Sequence, residues 1–117
     1  MTKVLIVDDE EITLSIIEAM LVPGGYDVIT SKDGREVKNL LDVEQPDILI
    51  IDIFMPDVDG IENIKAVREI HPTLPILAIS SNSDFLRMAE IFGANASLHK
   101  PIFGSNLLEK IHTLVNH

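Results

Sequence analysis

The chain has 117 residues, of which 46% are hydrophobic and 24% charged, and it contains no cysteine. A single hydrophobic core over residues 1–117 is expected for that length, and disulfide frameworks and thiol sites are excluded. Nine basic residues against nineteen acidic ones leave a formal charge of −10, which repels phosphate backbones and argues against direct nucleic-acid binding by this chain. No stretch approaches the ~18 apolar residues of a membrane span. Asp8 and Asp9 cut the first apolar run too short for a leader, so the expectation is a cytoplasmic protein without membrane insertion.

Lys3 to Val7 reads as a short apolar strand ending in Asp8-Asp9. From Glu10 to Val22 the chain carries Ile12, Ile16, Ala19 and Met20 at helical spacing, and Pro23-Gly24-Gly25 stops it. Tyr26 to Thr30 alternates only partly, as a strand nearer a sheet edge would. Asp33 can cap a helix through about Val43, with Val37, Leu40 and Leu41 inward. Ile48 to Ile51, bounded by Pro46 and the turn cluster Pro56–Gly60, is a continuous β-branched and leucine run. It predicts a central parallel strand buried on both faces, with Asp52 at its carboxyl end. Asp59-Gly60 opens a helix carrying Ile61, Ile64, Val67 and Ile70, closed by Pro72.

Leu74 to Ile79 is a further buried strand, ending in Ser80-Ser81. Ser83 or Asp84 can cap a helix with Phe85, Met88, Ala89 and Phe92, which Gly93 ends. Asn95 to His99 is a short strand before Lys100-Pro101. The last helix, roughly Phe103 to Val115, places Leu107, Leu108, Ile111 and Leu114 inward. Five strands alternating with five helices predict one α/β domain with a parallel sheet and right-handed crossovers.

In such a sheet the carboxyl ends of the strands share one edge, where α/β proteins place their ligand sites. Asp8, Asp9, Asp52, Ser80 and Lys100 all fall there. Singly, each reads as an ordinary loop residue or helix cap; together they describe a cleft. Two carboxylates ~4 Å apart repel by about 4 kcal/mol at an effective dielectric near 20. One lysine cannot balance three acids, whereas a hard divalent cation can, which makes Mg²⁺ the natural guess. A carboxylate can also accept a phosphoryl group as an acyl phosphate, a transfer governed by positioning and charge neutralisation.

The sequence resembles the receiver (response-regulator) family of two-component signalling over essentially its whole length. The matching pieces are Asp8-Asp9, Asp52, Met55-Pro56, Asp59-Gly60, Ser80, Gly93-Ala94 and Lys100-Pro101, in order. The resemblance implies a flavodoxin-like and CheY-like sheet of order 2-1-3-4-5 with helices on both faces. It also implies that Asp52 is the phosphoacceptor and that Asp9, Asp52 and the Phe54 carbonyl bind Mg²⁺ directly, with Asp8 acting through water. Ser80 and Lys100 would contact the phosphoryl group, and N–H groups near Phe54 and Ser81 would complete the cradle. Lys100-Pro101 is similar to the family's cis peptide. The implied partners are a sensor histidine kinase or histidine phosphotransfer protein, docking on the first helix, and a downstream effector or output domain. The chain ends soon after the fifth helix, so it reads either as a stand-alone receiver or as part of a longer regulator.

Two departures qualify the match. Ser97 stands where the family carries an aromatic reporter of phosphorylation, which shifts the expected switch toward Ser80 and the loop leading to the fourth helix. By the same resemblance, Phe54 and Asn82 occupy family positions that tune loss of the phosphoryl group. The alternative class is a receiver-like interaction module that no longer switches by phosphorylation. Asp57-Val58-Asp59-Gly60 resembles a dehalogenase-type phosphatase motif, but Asp52 already holds the post-strand position. A calcium loop fails because Met55 and Ala66 would fall at its first and twelfth positions.

Overall fold

The computed structural model describes residues 1–55 and 58–116; Pro56 and Asp57, within the predicted turn cluster, and His117 lie outside the described residues. Five short strands, β1 (Lys3–Val7), β2 (Asp27–Ser31), β3 (Ile48–Asp52), β4 (Ile76–Ser80) and β5 (Ala96–His99), form one sheet of order β2-β1-β3-β4-β5. Every pairing is parallel. Each strand is followed by a helix: α1 (Glu11–Leu21), α2 (Val37–Glu44), α3 (Gly60–Ile70), α4 (Ser83–Phe92) and α5 (Gly104–Val115). The expected fold class and strand order are therefore those of the structure.

Strand periodicity explains why both faces need cover. Leu5, Val7, Leu49, Ile51, Ile76 and Ala78 point to one side and pack with Val37, Leu41, Ile64, Val67, Leu86 and Ala89 of α2, α3 and α4. The alternate residues Val4, Ile6, Ile48, Ile50, Leu77 and Ile79 point to the other side, onto Leu14, Ile17, Leu21, Leu107 and Ile111 of α1 and α5. Each fully buried aliphatic side chain contributes roughly 1.5–3 kcal/mol relative to exposure, so the two layers hold the sheet from both faces. β2, at the edge, has no buried residue, in keeping with its weaker alternation.

Several local expectations are corrected. In α1 the buried stripe is Leu14, Ile17 and Leu21, while Ile12 is 75% and Ile16 46% exposed. In α4 the buried residues are Leu86 and Ala89, and the cap is Asn82, not Ser83 or Asp84; its side chain accepts from the N–H groups of Asp84 and Phe85. In α3 the cap is Asp59 as expected, but Ile70 is exposed. Phe54–Met55 pairs antiparallel with Val58–Asp59 between β3 and α3 to form a small hairpin, whose two-residue strands are too short to leave a period in the sequence.

Two features lock the loops. Arg68 on α3 donates to the carbonyls of His71 (2.9 Å), Leu74 (2.8 Å) and Gly93 (2.7 Å) and to Asn95 Oδ1 (2.7 Å). One side chain thus ties the α3–β4 and α4–β5 connections together. Gly60, at the start of α3, lies against β3's exit: a Cβ there would stand 2.2 Å from the Ile53 carbonyl oxygen and 2.5 Å from its Cα. Those neighbours are backbone and cannot rotate away. Gly60→Ala is expected to lower unfolding free energy by about 2–3 kcal/mol, whereas Gly24→Ala, whose Cβ would meet side chains at 3.5 Å, should be nearly neutral. Urea denaturation of both variants checks this; a Gly60→Ala protein as stable as wild type would contradict it.

Candidate functional site

The carboxyl edge of the sheet gathers the charged residues. Asp8, just past β1, is fully buried; its Oδ1 accepts from the Glu10 N–H at 2.9 Å. Asp52, the last residue of β3, is 3% exposed, and its Oδ1 accepts from the Phe54 N–H at 3.1 Å. Lys100 follows β5 and carries the cis peptide to Pro101. Its Nζ lies 2.9 Å from Asp8 Oδ2, 2.9 Å from Glu10 Oε1 and 3.3 Å from Asp52 Oδ2. Ser80, buried at the end of β4, is tied to the same residue, because its carbonyl accepts from the Lys100 N–H at 2.8 Å. The Ser80 hydroxyl oxygen accepts from the Asn82 N–H at 3.0 Å.

One ammonium therefore serves three carboxylates. Burial drives the Asp52 pKa up to about 6; the Asp8 charge adds to the rise, while the Phe54 N–H and Lys100 work against it. Burial also raises Asp8, opposed by the Glu10 N–H and Lys100. Glu10, at the solvent rim, is held below the usual carboxylate range by Lys100. Burial disfavours the Lys100 charge, yet the close carboxylates of Asp8, Glu10 and Asp52 outweigh it and raise its pKa.

Carboxylate oxygens of Asp8, Glu10 and Asp52 all lie within 4.8 Å of one another. Asp8 Oδ2 is buried without a hydrogen bond; Lys100 is near enough for an ion pair but off the bonding angle. An under-neutralised cluster of hard oxygens with an unsatisfied buried lone pair fits a divalent cation of the Mg²⁺ type.

Of the residues singled out from sequence, Asp8, Asp52 and Lys100 converge, Ser80 adjoins them, and Phe54 reaches Asp52 through its N–H. Asp9 is exposed and its carboxylate is not among the three that cluster. Glu10, not singled out before, is. Its one signal in the sequence is its place in the acidic run after β1, which does not say which acid turns inward. Beside the cluster, a hollow of about 360 Å³ is lined by Glu10, Thr13, Ile16, Ser81, Pro101 and Ile102, among others. A roomier hollow of about 670 Å³, lined by Met1, Asp47, Pro75 and Val115, lies at the other end of the strands, away from the carboxylates.

The raised Asp52 pKa fixes a pH dependence. The folded state holds this proton up to about pH 6, against a starting value of 3.8, so a stabilising contribution present below pH 3.8 is lost as pH rises through 6. The shift corresponds to about 3 kcal/mol as an order of magnitude. In metal-free buffer, Asp52→Asn is expected to be more stable than wild type at pH 7.5, the difference shrinking toward pH 4. Urea unfolding across that range measures it; a variant less stable than wild type at pH 7.5 would contradict the assignment.

Comparison with known proteins agrees with this geometry. The family model for the response regulator receiver domain matches residues 4–112. The transcriptional regulatory protein CpxR of Escherichia coli strain K12 is 33% identical over 116 residues, covering 98% of this chain and 50% of that protein. The chain spans about half the length, or less, of the curated relatives it matches. Among solved structures, chemotaxis response regulator CheY4 of Vibrio cholerae superposes with a TM-score of 0.88 at 31% identity, covering 97% of this chain and 98% of that one. The receiver domain of sensor histidine kinase PA1611 of Pseudomonas aeruginosa, solved with a magnesium ion coordinated in its active-site cleft, gives a TM-score of 0.90 at 25% identity, covering 99% of this chain and 98% of that one. With a family match over nearly its whole length and a CheY-like fold, the chain belongs to the response regulator receiver domain family.

Proposed function

We propose that residues 1–117 act as one cytoplasmic phosphoacceptor unit, taking a phosphoryl group from a phosphohistidine donor onto Asp52. The observation that carries the reading is the buried Asp52 carboxylate, crowded by Asp8 and touched by both the Lys100 ammonium and the Phe54 N–H. An Asp52 oxygen bonds to phosphorus, the phosphorus–nitrogen bond to the donor imidazole breaks, and the imidazole leaves with the electron pair. Lys100 follows the incoming charge without leaving the cluster, and the Ser80 hydroxyl, at the same edge, can donate to a phosphoryl oxygen. N–H groups at Phe54 and Ser81 complete the cradle.

Asp8, Asp9, Asp52 and the Phe54 carbonyl, with Glu10 added by the observed cluster, are the groups that would hold Mg²⁺. The cation, when bound, neutralises charge on the phosphoryl oxygens. The phosphorylated state then biases a two-state surface around α4, β5 and α5 toward a downstream effector or output domain, and hydrolysis resets it. The sensor kinase or phosphotransfer protein docks on α1. The exposed Ile12 and Ile16, with the hollow between α1 and the Pro101–Ile102 segment, support that placement. A binding module that does not switch would have no need of a buried acid held against a second acid.

Three outcomes test the reading. Incubation with acetyl phosphate and Mg²⁺ should add ~80 Da to the intact protein and not to Asp52→Asn; no gain, or equal gain in the variant, would refute it. Mg²⁺ should raise thermal stability, by about 2.7 kcal/mol at a hundredfold excess over its dissociation constant, and removal with EDTA should reverse this; a melting temperature indifferent to Mg²⁺ would argue against the metal. A variant with both Ile12→Ser and Ile16→Ser should lose most transfer from a phosphohistidine protein while keeping wild-type uptake from acetyl phosphate. Equal loss from both donors would remove α1 as the docking face.

A further inference from the structure

The chain is poor in aromatic residues, with four phenylalanines among 117 residues, yet three of them share one exposed face. Phe54 is 68% exposed, and its ring stacks on Phe85 of α4 with centroids 5.5 Å apart and planes 21° from parallel. From Phe85 the apolar surface runs along α4 through Met88 and Phe92, each 40% exposed, because residues three and four apart on a helix are neighbours. Phe92 then meets α3, where the Lys65 ammonium stands 5.0 Å over its ring. The result is an apolar strip on the α3 flank of α4 of roughly 300 Å², the size at which a patch on a monomer is often functional. The core does not demand it, since the buried residues of α4 are Leu86 and Ala89.

The borders of the strip are acidic. Asp84 in the first turn of α4, and Glu62 and Glu69 on α3, are exposed. Lys65 is already matched by Glu62 at 3.2 Å and by the Phe92 ring, and Arg87 falls on the opposite flank of α4 by helical spacing. The whole chain carries a formal charge of −10. A second copy is therefore a poor occupant. It would bring a like charge, and the strip is less than half the ~800 Å² per partner of a stable protein–protein interface. An amphipathic helix suits both features, because its apolar stripe matches a narrow strip and its polar face can carry the opposite charge.

We propose that the strip formed by Phe54, Phe85, Met88 and Phe92 is a docking surface for a basic amphipathic helix of a partner protein. Aliphatic side chains of that helix cover the rings, and its Lys or Arg residues face Asp84, Glu62 and Glu69. The strip lies on the α3 side of α4, whereas Glu90 of the same helix turns to Ser97 of β5. It is thus separate from the surface around α4, β5 and α5 invoked for the phosphoacceptor reading, and does not depend on that reading. The apolar contacts supply affinity, and the acidic borders orient the incoming helix.

Fluorescence anisotropy on the intact chain tests this with three labelled peptides of about 14 residues. One carries leucines at i, i+3, i+4 and i+7 with lysines on the other face. The second keeps that composition with the leucines scattered round the helix, and the third has glutamate in place of lysine. The first should bind, and the other two should bind at least about tenfold more weakly. Met88→Ser, Phe92→Ser and Phe54→Ser should each weaken the first peptide by about tenfold, the loss expected of an interface anchor. Val43→Ser, which removes an exposed apolar residue from α2, should leave binding unchanged. Met88→Lys, which puts a positive charge on the strip, stands in if a serine variant does not fold, and should abolish binding. Equal binding of all three peptides, or of strip variants and wild type, would reduce the interaction to general attraction for an acidic protein and overturn the proposal. So would a wild type that does not bind, or a dimer in analytical ultracentrifugation that Phe92→Ser breaks, which would give the strip to a second copy. No phosphoryl donor enters these measurements, so their failure leaves the phosphoacceptor reading intact, and a chain that never gains mass leaves the docking surface intact.

Discussion

A single ammonium group holds the carboxyl edge of this sheet together. Lys100 Nζ is shared by Asp8, Glu10 and Asp52, so two negative charges there remain uncompensated by it. Two of the three acids are buried, and taking a carboxylate out of water is tolerated only with a partner. The cluster is thus stable enough to exist in the folded protein and short of positive charge. A cation can supply that charge, and a phosphoryl group can exploit the donors. Burial raises the Asp52 pKa first and the neighbouring Asp8 charge adds to it, the kind of perturbed carboxyl that marks functional sites.

The sheet creates the shortage by geometry. Parallel strands buried on both faces bring five chain segments to one edge, and β1, β3 and β4 are apolar almost to their last residues. Polar chemistry therefore begins abruptly, at Asp8, Asp52 and Ser80. Gly60 permits α3 to start hard against Ile53, which keeps the hairpin and Phe54 close to Asp52. The Arg68 ties secure the opposite ends of the connections around α3 and α4. Rigidity at that far end leaves the Ser80–Asn82 and Phe54–Phe85 contacts as the places where a change at Asp52 can reach α4. Ser97 on β5, paired with Glu90 of α4, is a further contact between the sheet and that helix.

The parts of this arrangement legible in the sequence were those set by local pattern. Fully apolar runs ending in acids, serine or lysine located the strands, their order in the chain, three of the converging side chains and Ser80 beside them. Helix faces were harder. α1 and α4 carry apolar residues on more than one side, so spacing alone favoured Ile12 and Ile16 over Leu14 and Leu21, and packing against β1 and β3 decided otherwise. In the run Ser80 to Asp84 nearly every residue can cap a helix, and only the backbone path selects Asn82. Glu10, the Arg68 ties and the Phe54–Phe85 stack are contacts across 90, 25 and 31 positions of chain. No window of sequence contains them. The hairpin strands are two residues each, too short to leave a period.

Chemical trapping shows which side chain carries the proposed phosphoryl group. Borohydride reduces an acyl phosphate to an alcohol, so protein treated with a phosphodonor, reduced and digested should carry homoserine in place of aspartate at position 52, a change of ~14 Da in that peptide alone. Homoserine at position 8 or 9 instead, or phosphoryl uptake with no reducible aspartate at all, would contradict the account.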